Sequence, residues 1–164
     1  MQEYDDRKPK AIRFFEAAYR AQMEGDLQLA DQYYRRSVAL YPTAEAFTFY
    51  GWCRSFRQEW DEAIDLCRDA IEIDPEYGNP YNDIGAYLIQ KGELEEAVPW
   101  LERALKAERY ACPFFAYYNL GQVYEELGDF ELAEENYRLA LEENPDYTLA
   151  RVSLSRVLSR SSES

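Results

Sequence analysis

The sequence contains no histidine and few basic residues. Among its 164 residues, 18 are Lys or Arg and 32 are Asp or Glu, so the formal net charge is −14. Without histidine, the chain lacks the commonest general base and the commonest metal ligand of proteins. The excess of acids disfavours contact with nucleic-acid phosphates and with anionic membrane surfaces. We therefore expect no metal ion, no nucleic-acid partner and no membrane partner.

Cysteines are scarce, and long apolar runs are missing. Cys53, Cys67 and Cys112 are an odd number without a Cys-x-x-Cys pair, which disfavours a disulfide framework and a zinc site. No apolar stretch approaches the length of a membrane span. The first residues carry neither a secretion signal nor a lipidation signal. These features predict a protein of the reducing cytoplasm.

Motifs of catalysis and cofactor binding are also missing. The chain has no phosphate-binding glycine loop, no nucleophile elbow and no calcium-binding loop. Acidic pairs such as Glu95-Glu96 and Glu134-Glu135 have a simpler role, because we place them in the first turns of helices, where they favour the helix dipole. We expect no cofactor and no enzymatic activity.

The sequence does contain an internal repeat of about 34 residues. One alanine position recurs at residues 30, 63, 97 and 133, and one glycine position recurs at residues 51, 85 and 121. Each unit predicts two helices. In the third unit, residues 81–88 carry apolar side chains at helical spacing, Gly92 ends that helix, and residues 97–104 carry a second apolar stripe. Small residues at the contact let two antiparallel helices approach closely.

This pattern resembles the tetratricopeptide repeat. The segments that carry it most fully are YNDIGAYLIQKGELEEAVPWLERAL and YYNLGQVYEELGDFELAEENYRLALEENP, and two weaker units precede them. The resemblance covers about residues 11–147. It implies an all-α fold, a right-handed α-solenoid of antiparallel helix pairs, and by itself it does not specify a function.

The repeat also predicts the domain boundaries. We expect a flexible N-terminus at residues 1–10, a single domain at 11–160 and a flexible tail at 160–164. The predicted repeats span about 11–43, 44–77, 78–113 and 114–147, and an amphipathic helix at 147–159 caps the last pair.

Several residues depart from the repeat pattern. Arg54 stands where later units have Leu88 or Tyr124, and Arg57-Gln58-Glu59 stands where other units have a glycine between the helices. Pro99 lies inside a helical stripe, where we expect a tolerated kink. The link between the third and fourth units is two residues longer than the others.

The resemblance implies that the first helix of each pair lines an inner groove. A helical wheel places a set of aromatic and amide side chains on that face: Phe15, Tyr19, Phe49, Trp52, Phe56, Asn82, Tyr118, Asn119 and Gln122. Large exposed apolar surfaces usually mark interfaces, so these residues predict a peptide-binding groove rimmed by acids. In the alternative interpretation, neighbouring helices or the N-terminal segment cover the rings.

The predicted function is a non-catalytic adaptor or scaffold that binds a peptide or helical segment of another protein. The acids favour an apolar segment flanked by Lys or Arg, and the amides of Asn82 and Asn119 hold its backbone. A clamp for C-terminal carboxylates, known in the family, is disfavoured because Phe15, Thr48 and Tyr118 occupy positions that need basic residues. A cytoplasmic secretion chaperone for a hydrophobic client is the alternative hypothesis, and an enzyme subunit is the third. Homo-oligomer formation through the aromatic faces stays open.

Overall fold

The computed structural model describes residues 6–161, which form nine α-helices. They are α1 (Arg7–Met23), α2 (Leu27–Leu40), α3 (Ala44–Ser55), α4 (Trp60–Ile73), α5 (Asn79–Lys91), α6 (Leu94–Lys106), α7 (Pro113–Glu126), α8 (Phe130–Glu143) and α9 (Thr148–Ser161). Consecutive helices pack as four pairs, and α9 packs against α8. The predicted all-α class built from helix pairs is confirmed. Within the described residues, no helix is long and apolar enough to cross a membrane.

The chain divides into two compact units, Met1–Pro75 and Glu76–Ser164. Unit 1 contains α1 to α4, and unit 2 contains α5 to α9. The single domain over residues 11–160 stays a prediction. Residues 1–5 and 162–164, which are parts of the two predicted flexible ends, lie outside the described residues.

Both predicted end boundaries need correction where the structure describes them. Residues 7–10 belong to α1, and residues 160 and 161 belong to α9. An ion pair of 2.7 Å between Lys10 and Asp6, four residues apart, supports the first turn of α1. The Lys8 ammonium lies 5.5 Å from the centroid of the Tyr41 ring, which ties this turn to the residue after α2.

The helix pairs meet at the small residues of the repeat. A Cβ added to Gly85 would lie 2.6 Å from Cγ of Leu101, and one added to Gly51 would lie 2.9 Å from the carbonyl oxygen of Ala63. Leu101 is completely buried. The recurring glycine is therefore a close-approach site, as the repeat pattern predicts.

The turns within the helix pairs use a left-handed residue. Gly25, Gly92 and Gly128 have φ angles of 86°, 78° and 81°. The turn between α3 and α4 places Gln58 in the same conformation, with φ 58°, and Gln58 is the only non-glycine residue with positive φ within residues 6–161. A side chain in this region is strained, because its Cβ approaches the backbone carbonyl.

Replacing Gln58 with glycine is expected to raise the free energy of unfolding by about 0.5–1 kcal/mol, because the strain is removed. The matched reverse change is Gly92→Gln, whose Cβ would meet no atom within 4 Å, so that it tests backbone strain alone. It should lower stability by a similar amount. Urea unfolding followed by circular dichroism measures both changes, and a Gln58→Gly protein no more stable than the unmodified chain contradicts the account.

The two predicted acidic pairs lie at different positions in their helices α6 and α8. Glu95 and Glu96 lie in the first turn of α6, as predicted. Glu134 and Glu135 lie in the second turn of α8, so the first-turn prediction is wrong for this pair. Glu134 instead accepts a hydrogen bond of 2.8 Å from Arg138, one turn further along the helix. The helix α6 continues through Pro99 to Lys106.

The longer link after α6 pairs with the start of unit 2. The backbone N–H of Gly78 donates to the carbonyl of Arg109 at 3.0 Å, and the N–H of Arg109 donates to the carbonyl of Glu76 at 2.9 Å. A Cβ on Gly78 would lie 2.6 Å from Cγ of Tyr110. The longer link therefore forms a single parallel β-bridge between Arg109 and Tyr77, which holds the link against the residues before α5.

Candidate binding surfaces

The five aromatic residues predicted for unit 1 form one connected row, which we call the aromatic ladder: Phe15, Tyr19, Phe49, Trp52 and Phe56. Ring centroids are 5.3 Å apart for Phe15 and Phe49, 5.8 Å for Tyr19 and Phe49, 6.0 Å for Phe49 and Trp52, and 5.2 Å for Trp52 and Phe56. The three contacts of Phe49 are edge-to-face, the arrangement that the ring quadrupoles favour. The structure thus brings together side chains from α1, α3 and the residue after α3.

The ladder has a covered edge and an open edge. Phe15 and Phe49 are half-buried and pack against the core around Tyr34. Tyr19 and Phe56 are 42% and 52% exposed. The alternative interpretation, in which neighbouring helices cover the rings, therefore applies only to the covered edge with Phe15 and Phe49. At the open edge, the apolar surface reaches solvent through Tyr19 and Phe56.

A pocket of about 320 Å³ adjoins the ladder within unit 1. Its lining residues are Lys8, Ala11, Ile12, Phe15, Ser37, Tyr41, Thr43, Glu45 and Ala46. The Ser37 hydroxyl is occupied, because it donates to the carbonyl of Ala11 at 2.8 Å. Phe15 belongs to both the ladder and the pocket, so the two form one surface with an apolar recess. A volume of this size is at the lower end of the range found for ligand pockets, so it is large enough for an apolar side chain of a partner.

Charge around the ladder is mixed. Glu16 and Glu45 are exposed on the two helices that carry the rings, and α1 also bears exposed Arg13 and Arg20. The acid rim predicted for the groove is therefore limited, in unit 1, to individual acids beside the rings.

In unit 2, the two predicted amides pair with each other. Asn119 Nδ2 donates to Asn82 Oδ1 at 3.0 Å, and Asn82 Nδ2 lies 3.4 Å from Oδ1 of Asp83. Burial raises the pKa of Asp83 to about 7, against the opposing hydrogen bond from Asn82. Because α5 and α7 bring these side chains into contact, Asn82 and Asn119 form one polar group, whereas the sequence analysis expected both amides to hold the backbone of a peptide.

Tyr118 is packed against the segment that precedes α9. Its ring centroid lies 5.3 Å from that of Tyr147 and 5.8 Å from that of Tyr137. Tyr147 also contacts Phe115, at 5.6 Å. The predicted binding face of α7 is therefore partly covered by a residue that the repeat pattern had assigned only to a boundary.

An ion pair between Arg156 and Glu125 also joins α9 to α7. Arg156 donates to both carboxylate oxygens of Glu125, at 2.6 and 2.8 Å, and the Tyr137 hydroxyl donates to Glu125 at 2.7 Å. The hydrogen bond from Arg156 lowers the pKa of Glu125. Gln122 lies beside this pair, in an open polar pocket that Arg160 also lines. Glu125 and Arg156 are 31 positions apart in the chain, so no local sequence pattern reveals this contact.

Among residues 6–161, no three Asp, Glu or Cys side chains are grouped in a way that can hold a metal ion. Cys53 and Cys67 are buried, and Cys112 is half-buried.

Comparison with known families gives three matches, all described as tetratricopeptide repeat. They cover residues 15–78, 81–108 and 114–147, and together they account for more than half of the chain. Each helix pair of the structure lies largely within one of these matches. The agreement between repeat matches and observed helix pairs extends to both units.

The chain is also similar to individual proteins. It is 26% identical over 101 residues to Protein bimA of Emericella nidulans, a match that covers 62% of this chain and 12% of bimA. Among solved structures, Pseudomonas aeruginosa PilF has a TM-score of 0.88 at 20% identity and covers 96% of this chain and 71% of PilF. YrrB, described as a TPR protein with an unusual peptide-binding site, has a TM-score of 0.68 at 20% identity and covers 93% and 78%.

The chain thus spans about an eighth of the length of bimA, and its likeness to the solved structures establishes the fold. The fold is supported by the helix pairs with small residues at their contacts, by the three repeat matches and by these structural neighbours. The fold is typically non-catalytic, and it supports a role as a protein–protein interaction scaffold. Taken together, these observations show that the chain belongs to the tetratricopeptide repeat proteins.

Proposed function

We propose that the chain is a non-catalytic adaptor or scaffold, and that unit 1 binds a peptide or helical segment of another protein on the aromatic ladder. The observation that carries the proposal is the continuous contact of five rings, which ends in exposed Tyr19 and Phe56 and adjoins an apolar pocket.

The ladder suits an interface because its rings are already held in place. Phe15 and Phe49 are fixed against the core, and their contacts orient Tyr19 and Trp52. Aromatic side chains dominate interface energetics, and little conformational entropy is lost when rings that are already ordered become covered. Covering the exposed edges gains about 25 cal/mol for each Å² of apolar surface removed from water.

The partner we propose carries apolar anchors with Lys or Arg beside them. One anchor enters the pocket between Ile12 and Ala46, and the others cover Trp52 and Phe56. Basic residues of the partner then lie near the exposed acids Glu16 and Glu45.

The unit 2 residues Asn82, Tyr118, Asn119 and Gln122 are proposed as a separate, more polar contact surface. Asn119 donates to Asn82 through its amide nitrogen, and its amide oxygen is proposed to accept a hydrogen bond from a partner. YrrB supports the general proposal, since it is a tetratricopeptide protein with a peptide-binding site. The secretion-chaperone alternative, the cytoplasmic location and homo-oligomer formation stay predictions.

The test compares Trp52→Ala/Phe56→Ala with the unmodified chain on an array of helical peptides with Leu or Phe anchors and flanking Lys. The variant is expected to lose at least about tenfold in affinity, because two aromatic anchors are removed. The control is Trp100→Ala, which removes a half-buried ring on α6 outside the ladder. Undiminished binding by the double variant, or an equal loss in the control, contradicts the proposal.

A further inference from the structure

A second pocket of unit 1 is lined mainly by arginine, and we call it the arginine pocket. Its lining residues are Gln28, Asp31, Gln32, Arg35 and Arg36 of α2, Arg54 near the end of α3, and Arg57 in the turn that follows. The pocket is open, with a volume of about 540 Å³, and shares no residue with the aromatic ladder. It therefore lies outside the surface to which the proposed function applies.

The charge in this pocket is opposite to that of the chain. Four guanidinium groups line it, whereas Asp31 is its one carboxylate. Asp31 is engaged on both oxygens, by Arg54 at 2.7 Å and by Arg35 at 3.1 Å. Counting also Glu59, which pairs with Arg54 at 2.8 Å and lies 3.7 Å from Arg57, the cluster has an excess of two positive charges.

Comparison of the repeats within this chain shows that acids are replaced by amides around the pocket. Gln28 corresponds to Asp61, Glu95 and Glu131 of the later units. The second helices of the four pairs are α2, α4, α6 and α8, and among them α2 alone has no acid in its first turn. An acid there is worth about 0.3–1 kcal/mol to the helix dipole, so α2 forgoes a stabilising charge that the other units keep.

Two further departures from the repeat pattern occur at the same place. Arg54 stands where Leu88 and Tyr124 stand in later units, and Arg57 precedes the strained Gln58. Arg36 lies with its guanidinium 5.6 Å from the centroid of the Phe14 ring, which holds it against the surface. The departures from the repeat pattern and the local excess of positive charge therefore occur in the same open pocket.

From this coincidence we propose that the arginine pocket binds an acidic peptide segment, one with several Asp or Glu side chains. Guanidinium groups bind carboxylates in a bidentate way, and here they come from two parts of the unit. Arg35 and Arg36 belong to α2, whereas Arg54 and Arg57 belong to the end of α3 and the turn after it. This spread matches several spaced carboxylates better than one compact anion. At 0.15 M salt, charges further than about 8 Å are largely screened, so the distant acids of the chain do not cancel the local excess.

The probe is a fluorescein-labelled peptide with four Glu residues separated by Gly and Ser, compared with the same peptide carrying Gln in place of Glu. Fluorescence anisotropy with the full chain measures affinity. We expect binding of the Glu peptide only, and a loss of at least about tenfold in Arg35→Gln/Arg57→Gln, because each substitution removes a charge-assisted contact. Both arginines are exposed, and the pair between Asp31 and Arg54 is left intact.

The matched control is Arg68→Gln/Arg138→Gln. These arginines occupy the position of Arg35 in the second and fourth units, are exposed, and change the net charge equally. The control is expected to bind the Glu peptide within about twofold of the unmodified chain, as is Trp52→Ala/Phe56→Ala, which separates this proposal from the proposed function. The proposal is overturned if the two double-arginine variants lose affinity equally. It is also overturned if the Glu and Gln peptides bind equally well. Stronger binding of a phosphoserine peptide or of inorganic phosphate overturns it too, and assigns the pocket to phosphate.

Discussion

Replacing Gly121 with alanine is expected to lower the free energy of unfolding by about 2 kcal/mol, the usual cost of overpacking a filled core. A Cβ on Gly121 would lie 2.5 Å from Cδ1 of Tyr137 and closer still to Cε1. The Tyr137 ring has no space to retreat, because it is completely buried and its hydroxyl is held by Glu125 at 2.7 Å. Alanine is the better helix former by about 1 kcal/mol, so the expected loss is net of this gain.

Urea unfolding of Gly121→Ala, alone and combined with Tyr137→Ala, measures the clash directly. In the Tyr137→Ala background the ring is gone, so Gly121→Ala should become stabilising through helix propensity alone. The exposed change Glu126→Ala on the same helix should stay within about 0.5 kcal/mol of the unmodified chain. If Gly121→Ala stabilises the chain while Tyr137 is present, the close-approach role of the repeated glycine is wrong.

Replacing Asp31 with asparagine is expected to destabilise the chain by about 2 kcal/mol, because the charge of Arg54 loses a partner in a mostly buried position. The Asp31 and Arg54 side chains are 12% and 19% exposed, and their nearest atoms lie 2.7 Å apart. Burial opposes the charge of Arg54, but hydrogen bonds to Tyr50 and Glu59 outweigh it and raise the pKa of the guanidinium. The pair links α2 to α3, the two helices that join successive repeats of unit 1.

The compensating variant is Asp31→Ile/Arg54→Leu, which installs the residues found at the equivalent positions, Ile64 and Leu88. Apolar replacement of a buried ion pair is often neutral or stabilising, so this variant should recover most of the loss in a thermal melt. A double variant less stable than Asp31→Asn contradicts the view that Arg54 costs stability. The retention of the pair at such a cost is consistent with a role for Arg54 in the arginine pocket.

Much of the architecture follows from local sequence patterns. Apolar residues at helical spacing predict every helix pair, and small residues such as Gly85 and Gly121 predict where paired helices touch. Both patterns recur from unit to unit, so an ambiguous unit can be interpreted with the help of a clearer one. The row of aromatic side chains from Phe15 to Phe56 was predicted in the same way, because residues three and four apart share one helix face.

The contacts that modify the predicted groove lie beyond this local information. Asn82 meets Asn119, Tyr118 meets Tyr147, and the link at Arg109 bridges to Glu76. Each joins residues about 30 or more apart in the chain, and each depends on side-chain and loop positions that the repeat period does not contain. The arginine pocket has the same origin, since residues of α2 and of the α3–α4 turn become neighbours only when the two pairs of unit 1 stack.

By itself, the sequence determined the number and pairing of the repeat helices, their small-residue contacts and the aromatic character of the first helices. These features repeat with the period of the helix and of the unit, so short-range spacing is enough to encode them. The tertiary structure alone decided which rings stay open at Tyr19 and Phe56, which predicted residues are paired or covered in unit 2, and where four arginines gather in an acidic chain. Those outcomes depend on packing between elements that are distant in sequence, where burial and charge are set by the neighbours each side chain finds.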